Sequence, residues 1–215
     1  MKKRRIVLGT LGGLILVLCA VFLCLNPFAK EDWEGLEVVN VACNRMLYES
    51  LEGVEEEATI IVEAEAGNVL DQVVSSFYDS TFQKDLPSAG YTRRELKIEK
   101  VHQGDVNVGD KIVLMQDYFI WTNTDNIKQL ISLTGLKPMK KGEKYLLFLA
   151  WDKNKEGYYA VGDFQGVYPL EDTTVKSKEG SVAAKRELEH VYSREDYSST
   201  LIPIYDEVQK KYRNK

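Results

Sequence analysis

The first 25 residues constrain this chain more than any other segment. Four basic residues precede a run without a single charge, which begins at Ile6 and ends at Leu25. A helix of that length measures about 30 Å, which matches the hydrocarbon core of a bilayer. The sequence therefore predicts a single-pass transmembrane helix over residues 6–25. The preceding basic residues are Lys2, Lys3, Arg4 and Arg5.

Positive charge before such a helix favours the cytoplasmic side of the cell membrane. We therefore expect residues 1–5 in the cytoplasm and everything after about Asn26 on the extracytoplasmic side. A cleaved signal peptide, with secretion of the domain, is the alternative. The uncleaved anchor is favoured because the apolar run exceeds the usual length of about 7–15 residues. A cut after Ala29 would also place Pro27 where a small residue is normal.

The predicted anchor contains one packing motif. Gly9 and Gly13 form a G-x-x-x-G pair, which allows two membrane helices to approach closely. Glycine is also common in membrane helices that stay single. Dimerisation through Gly9 and Gly13 is therefore the less favoured of the two interpretations.

The chain beyond residue 29 is strongly acidic. The whole sequence has 28 basic and 33 acidic residues, and removing the four basic residues of the first segment leaves 24 against 33, a net charge of −9. This excess disfavours nucleic acid and anionic lipid headgroups as ligands. Cys43 is the single cysteine of this part, so disulfide-rich secreted scaffolds are excluded. An exported domain without disulfides favours a Gram-positive bacterial origin.

Sequence pattern divides the extracytoplasmic part into three regions. Residues 26–48 are predicted to be a juxtamembrane connector, 49–172 a β-rich domain, and 173–215 a helical tail. Within the domain, residues 67–90 are predicted to be an insertion. The tail has a candidate helix cap at Ser181 and a second apolar stripe at helical spacing. That stripe consists of Leu201, Tyr205, Val208 and Tyr212.

Short β-branched and apolar runs predict five or six strands. The clearest run alternates, which puts Leu96 and Ile98 on one face and charges on the other. A short helix capped by Ser50 is predicted to precede the first strand. The predicted strands cover residues 58–64, 91–101, 111–115, 145–151, 158–161 and 166–170.

Two further segments show helical periodicity. In the insertion, an apolar stripe repeats at i, i+3, i+4 and i+7 and predicts one helix. A second helix is predicted to begin at Thr124 with Asp125 in its first turn and to end at Gly135. The first stripe is Leu70, Val73, Val74 and Phe77, and the second is Ile127, Leu130, Ile131 and Thr134.

This order of elements, with a helix before the fourth strand, is expected of a five-stranded OB-like barrel. Turn glycines and core strands carry the resemblance, in segments 50–52, 58–62, 97–101, 104–105, 108–112, 141–149 and 165–168. The domain resembles the barrel of netrin-type and tissue-inhibitor-of-metalloproteinase modules, within small membrane-anchored proteins of Gram-positive bacteria. The animal inhibitors act through an N-terminal cysteine and disulfides, which this chain lacks, so the resemblance implies fold alone.

Sequence motifs for catalysis or metal binding are missing. The two histidines, His102 and His190, are far apart, and no His or Cys pair has the spacing of a zinc site. Nucleophile elbows, phosphate-binding loops and dinucleotide fingerprints are also absent from the sequence. We therefore expect no metal, no cofactor and no enzymatic activity.

Aromatic residues form the candidate ligand surface, because rings on the open face of an OB barrel can stack on sugars or bases. Net acidity makes a cell-wall glycan or peptide the favoured ligand. The competing interpretation is that these rings fill the core. The candidates are Tyr118, Trp121, Trp151, Tyr159 and Phe164.

Three functions are compatible with the sequence. The first is a non-catalytic extracytoplasmic binding or interaction module for a wall or protein partner. The second is a cell-envelope hydrolase that uses dispersed carboxylates. The third is an inhibitor-like regulator of another membrane or wall protein, suggested by fold analogy alone.

Overall fold

The computed structural model describes residues 31–41, 46–133, 135–170 and 198–213. These residues form a mainly β structure with short helices, and the chain from Trp33 onward is one compact unit. The predicted anchor at 6–25, Cys43 and the predicted helix after Ser181 lie outside the described residues. Within the described ranges, no helix has the length and apolar character needed to cross a bilayer.

The first half of the described chain contains five strands and a helix in the order β1 (Glu37–Asn40), α1 (Leu51–Glu57), β2 (Ile60–Asp79), β3 (Lys84–Gln103), β4 (Lys111–Gln116) and β5 (Tyr118–Thr122). The second half continues with β6 (Lys128–Ser132), β7 (Lys144–Asp152), β8 (Gly157–Ala160), a 3₁₀ turn (Asp163–Gly166), β9 (Val167–Pro169), α2 (Ser198–Val208) and a final π-helical turn (Gln209–Arg213). Each predicted strand overlaps an observed strand.

Five strands pair in a closed circuit. β2 pairs with β3, β3 with β4, β4 with β8, β8 with β7, and β7 again with β2. All of these pairs are antiparallel except β4 and β8, which run parallel. β9 shares the second edge of β7 with β8. The fully buried residues Leu96, Ile98, Leu147 and Phe148 belong to the hydrophobic core, to which α1 and α2 also contribute.

Two of the predicted helices are present, one after Ser50 and one at the apolar stripe that begins at Leu201. Ser50 caps α1 by accepting a hydrogen bond from the backbone N–H of Gly53 at 3.3 Å. α2 packs Ile204, Tyr205 and Val208 into the core. The end of the chain is tied to α1 through Glu55, whose carboxylate accepts from Lys211 Nζ at 2.6 Å and from the Tyr212 hydroxyl at 2.7 Å.

The predicted helix in the insertion at 67–90 is wrong. These residues extend β2 and β3 into one long antiparallel hairpin, with Val73 opposite Tyr91 and Phe77 opposite Leu86. We call the part beyond the circuit, residues 67–91, the arm. Three of the four residues of the apolar stripe that predicted a helix, Leu70, Val73 and Phe77, are exposed on the arm instead. Residues such as Val73 and Val74 are β-branched and favour strands.

The helix predicted from Thr124 to Gly135 is also wrong, because this segment forms the β5–β6 hairpin. The Asn123 side-chain oxygen accepts from the backbone N–H groups of Asp125 at 3.0 Å and Ile127 at 2.9 Å. Asn126 adopts a left-handed φ of 62°, which asparagine tolerates in turns. These contacts fix a tight turn where a helix start was expected.

The predicted connector at 26–48 contains a strand. β1 pairs in parallel with β6, with Val38 opposite Leu130, and completes a three-stranded sheet in the order β1-β6-β5. The arm lies against this sheet, since the Gln72 side chain both donates to the carbonyl and accepts from the N–H of Ile120, at 3.1 and 3.0 Å.

A small charged cluster lies on the outer face of β2 and β3. Glu63 Oε1 is 2.8 Å from Lys100 Nζ and 2.8 Å from His102 Nε2, and the His102 ring meets Tyr212 edge-on at 5.0 Å. Partial burial alone would raise the pKa of Glu63, but the hydrogen bonds from Lys100 and His102 outweigh it and lower that pKa. The cluster therefore stabilises the folded state while Glu63 is ionised.

We expect Glu63→Gln to reduce the acid sensitivity of this protein. A lowered folded-state pKa gives stability that is present above the unfolded value of 4.5 and is lost as the pH falls through the folded value. At pH 7 the free energy of unfolding of the variant should be about 1 kcal/mol lower than that of the parent. Between about pH 5 and pH 3 it should fall less steeply with decreasing pH than that of the parent. Urea unfolding across this range measures the effect. Glu56→Gln, at an exposed position of α1, is the control, and identical pH slopes for Glu63→Gln and the parent would contradict the prediction.

Gly90→Ala should loosen the base of the arm. A methyl group at position 90 would lie 2.5 Å from Cδ1 of Phe119, a ring that is 1 % exposed. Overpacking of this kind typically costs about 1–3 kcal/mol. Urea unfolding should show the loss, whereas Ala89→Ser at the exposed neighbouring position should stay within about 0.5 kcal/mol of the parent. Unchanged stability of Gly90→Ala would show that Phe119 is free to move aside.

Candidate functional site

A cleft of about 460 Å³ is lined by residues from the ends of β4 and β7, from the turn that follows β7 and from β8. Trp151 and Tyr159 line it, as do residues of the segment between β6 and β7. Its apolar lining consists of Leu114, Met115, Leu136, Met139, Ala160 and Val167. Since most binding sites combine an apolar concavity with a few polar groups, this cleft is the candidate site.

The β7–β8 hairpin positions the two aromatic residues of the cleft. Register places Trp151 opposite Tyr158 and Ala150 opposite Tyr159, so the two lining residues stand on neighbouring strands. The Trp151 ring meets Tyr158 edge-on at a centroid distance of 4.9 Å, which orients the indole. Trp151 is 43 % exposed and Tyr159 is 39 % exposed. Each ring is therefore partly exposed, and because the two residues are one register position apart, their side chains project from opposite faces of the hairpin.

The other three aromatic candidates lie elsewhere. Tyr118 on β5 and Phe164 in the 3₁₀ turn are buried, with exposures of 3 % and 0 %. Trp121, also on β5, is partly exposed and pairs across the strand with Gln129. Assigning Tyr118 and Phe164 to a ligand surface is therefore wrong, because both rings pack inside the protein. Of the five candidates, the cleft brings together Trp151 and Tyr159.

Charged groups of both signs surround the cleft. Asp117, Asp152 and Asp163 supply carboxylates, and Lys153 and Lys155 supply ammonium groups. The Asp152 carboxylate accepts from the backbone N–H groups of Asn154 and Lys155 at 2.9 and 3.2 Å, which fixes the β7–β8 turn. Lys155 Nζ lies 3.7 Å from Asp152 and 5.1 Å above the Tyr91 ring. The rim therefore carries near-balanced charge in spite of the acidity of the domain.

Gln116, which lines the cleft, forms a buried polar pair with Arg94. Gln116 is 3 % exposed, and its Oε1 accepts from Nε of Arg94 at 3.1 Å. Arg94 is fully buried and also donates from Nη1 to the Gly67 carbonyl at 2.7 Å. In the described part of the chain, Gln116 Nε2 has no hydrogen-bond partner. The guanidinium of Arg94 thus fixes the side chain of Gln116 in the lining of the cleft.

The ionisation state of Tyr159 is set by its surroundings. Burial raises the pKa of its phenol, and the carboxylates of Glu57 and Asp152 raise it further. The hydroxyl therefore stays neutral at physiological pH and can both donate and accept a hydrogen bond.

Sequence reasoning missed several cleft residues. The alternation that was read as apolar on one face and charged on the other also places Arg94 in register with Leu96 and Ile98, so period two already contained the signal for its burial. Met115 and Met139 carried no comparable signal, because only the folded chain brings Met139, from the segment before β7, beside the end of β4.

Within the described ranges, no group of three or more His, Cys, Asp or Glu side chains is arranged to hold a metal ion. No known family model matches the chain, and no curated protein matches it either.

Proposed function

We propose that this chain is a membrane-anchored extracytoplasmic binding module without catalytic activity, whose OB-like barrel binds a cell-wall glycan in the cleft. The observation that carries the proposal is an apolar concavity lined by the partly exposed Trp151 and Tyr159 together with several charged side chains. Ligand pockets typically combine a hydrophobic and aromatic lining with a few polar groups.

The pairing circuit supports the OB-like assignment. OB folds are five-stranded Greek-key barrels, and a circuit of β2, β3, β4, β8 and β7 with one parallel pair agrees with that topology. The β5–β6 hairpin occupies the position where a helix was expected before the fourth strand of the circuit. The likeness to netrin-type and inhibitor modules thus concerns the barrel and not its connections.

The polar lining favours a sugar ligand. Sugar rings present an apolar face to aromatic side chains, while their hydroxyl groups donate to carboxylates and accept from ammonium groups and phenols. The cleft offers Trp151 and Tyr159 for stacking, Asp117 and Asp163 as polar side chains, and Lys153 as a donor. Mixed charge at the rim also suits amino sugars and their acylated forms better than a nucleic acid.

Removing either ring should weaken binding. We expect Trp151→Ala and Tyr159→Ala each to weaken binding of soluble wall-glycan fragments roughly tenfold or more, since stacking on one aromatic ring contributes about 1–3 kcal/mol. Isothermal titration calorimetry of the purified chain measures the dissociation constants. Fragments of defined length, with and without peptide stems, show whether sugar or peptide is recognised.

The control variant is Tyr78→Ala, which removes an aromatic ring that is 64 % exposed on the arm and outside the cleft. This variant should bind like the parent. Equal affinity of the parent and Trp151→Ala, or no heat with any fragment, would contradict glycan binding in this cleft.

Hydrolysis of a wall polymer is a second candidate, favoured by the three aspartates that line the same cleft. Glycosidases act with a pair of carboxyl groups, one as the acid and one as the base or nucleophile. All three aspartates line the cleft, so the pair would be drawn from Asp117, Asp152 and Asp163.

Release of reducing ends from isolated wall distinguishes the two candidates. The binding module should release none above a heat-treated sample. If the parent releases them and Asp117→Asn or Asp163→Asn lowers the rate about a hundredfold or more, the protein is a hydrolase. The control is Asp105→Asn, at an exposed turn outside the cleft.

A further inference from the structure

Several large hydrophobic side chains of the arm are exposed. Two 20-residue strands continue beyond the circuit, and six apolar or aromatic side chains on the arm are 40–64 % exposed. Groups of exposed hydrophobic residues mark interaction sites more often than single ones do. The exposed residues are Val69, Leu70, Val73, Phe77, Tyr78 and Phe82.

The arm also has free edges. β7 pairs with β2 through Glu65, and β4 pairs with β3 from Thr92 onward. Between these limits, no described strand pairs with the outer edge of either arm strand. Free edges offer backbone N–H and C=O groups to another strand.

Only one of these edges is suited to pairing. On β3, Pro87 has no N–H to donate, and the register with β2 skips Ser88, which breaks the regular edge. On β2, residues 71–77 read Asp-Gln-Val-Val-Ser-Ser-Phe, without proline, glycine or lysine. Proteins protect exposed edges with lysine, proline or bulges, and this protection is found on β3 and not on β2 over residues 71–77.

We propose that the β2 edge of the arm, residues 71–77, is a self-association surface on which a second copy of this chain adds its own β2 edge antiparallel. A two-fold pairing centred on Val73 places Val73 opposite its own copy and Asp71 opposite Ser75. No two carboxylates then face each other, and the Asp71 charge is balanced within its own chain by an ion pair with Arg93. The segment is thus complementary to itself.

The contact is small. Seven residues per copy span about 23 Å of strand. A standard protein interface uses about 20–30 residues on each side, so this contact is much smaller. Self-association is therefore concentration-dependent, and a shared membrane would favour it by confining both copies to one plane.

Disulfide trapping of the full chain in detergent tests the register. Cys19, Cys24 and Cys43 are first changed to serine, and Val73→Cys is then introduced. Opposed residues of an antiparallel pair have the Cα separation of a disulfide, so a covalent dimer should form under mild oxidation. Val108→Cys, at a turn residue that is 67 % exposed, is the control and should cross-link several-fold less. Equal cross-linking of the two variants would overturn the proposal.

Charge swapping tests the contact by sedimentation of the full chain. Val73→Lys and Val73→Glu each place like charges opposite each other and should raise the dimer dissociation constant roughly tenfold. An equimolar mixture of the two variants should regain dimerisation, which a fold defect would not allow. Ile127→Lys, at an apolar residue that is 54 % exposed on another hairpin, should dimerise like the parent.

Two results would overturn the proposal at this stage. One is a parent chain that stays monomeric at the highest concentration reached. The other is a dimer that survives in both Val73 variants but is lost in Gly9→Leu/Gly13→Leu, because association would then run through the predicted anchor.

Discussion

Every strand of the circuit depends on the double pairing of β2. Between Ile61 and Glu65, this strand pairs with β3 on one side and with β7 on the other, so Val62 lies opposite both Val101 and Leu147. Val62 is fully buried, as expected where both neighbours are present. β4, β8 and β9 each attach to a direct neighbour of β2. Loss of this one junction would therefore open the circuit and expose the core on both sides.

The arm exists because β2 and β3 continue beyond the point where β7 stops pairing with β2. The Gly142 N–H donates to the Ala66 carbonyl at 2.7 Å, and the Ala66 N–H donates to the Glu143 carbonyl at 2.9 Å, which closes the β7 pairing. β2 continues for 13 more residues with β3 as its only described partner strand. Exposure rises from 0 % at Ala66 to 42 % at Val69 across this boundary. One strand thus serves as core in its first third and as surface in the rest.

Sequence pattern located the strands of the circuit. It failed in segments where buried and exposed side chains do not alternate along the strand. Period two identified Leu96 and Ile98 because one face of β3 is inside and the other outside. In the arm, most side chains meet water, so the spacing of Leu70, Val73 and Phe77 carries no information about a buried stripe. Leu130 and Ile131 are adjacent and both buried, which imitates a helix face although β6 lies between two strands. The cleft was predicted in part. The aromatic residues proposed from the sequence include Trp151 and Tyr159, but the sequence does not distinguish them from Tyr118 and Phe164, which are buried in the folded chain.

The cleft and the arm share one buried group. Arg94 Nε fixes Gln116 in the cleft wall, and Arg94 Nη1 fixes the carbonyl of Gly67, the first residue of the arm. A buried guanidinium is stable only when its donors are satisfied, so both bonds are expected to persist together. Close packing adds to this at the same place, because a Cβ on Gly67 would lie 2.9 Å from the Glu95 carbonyl. The base of the arm is therefore held in a fixed position relative to the cleft wall, and two arms joined along β2 would also fix the separation of the two Gln116 side chains.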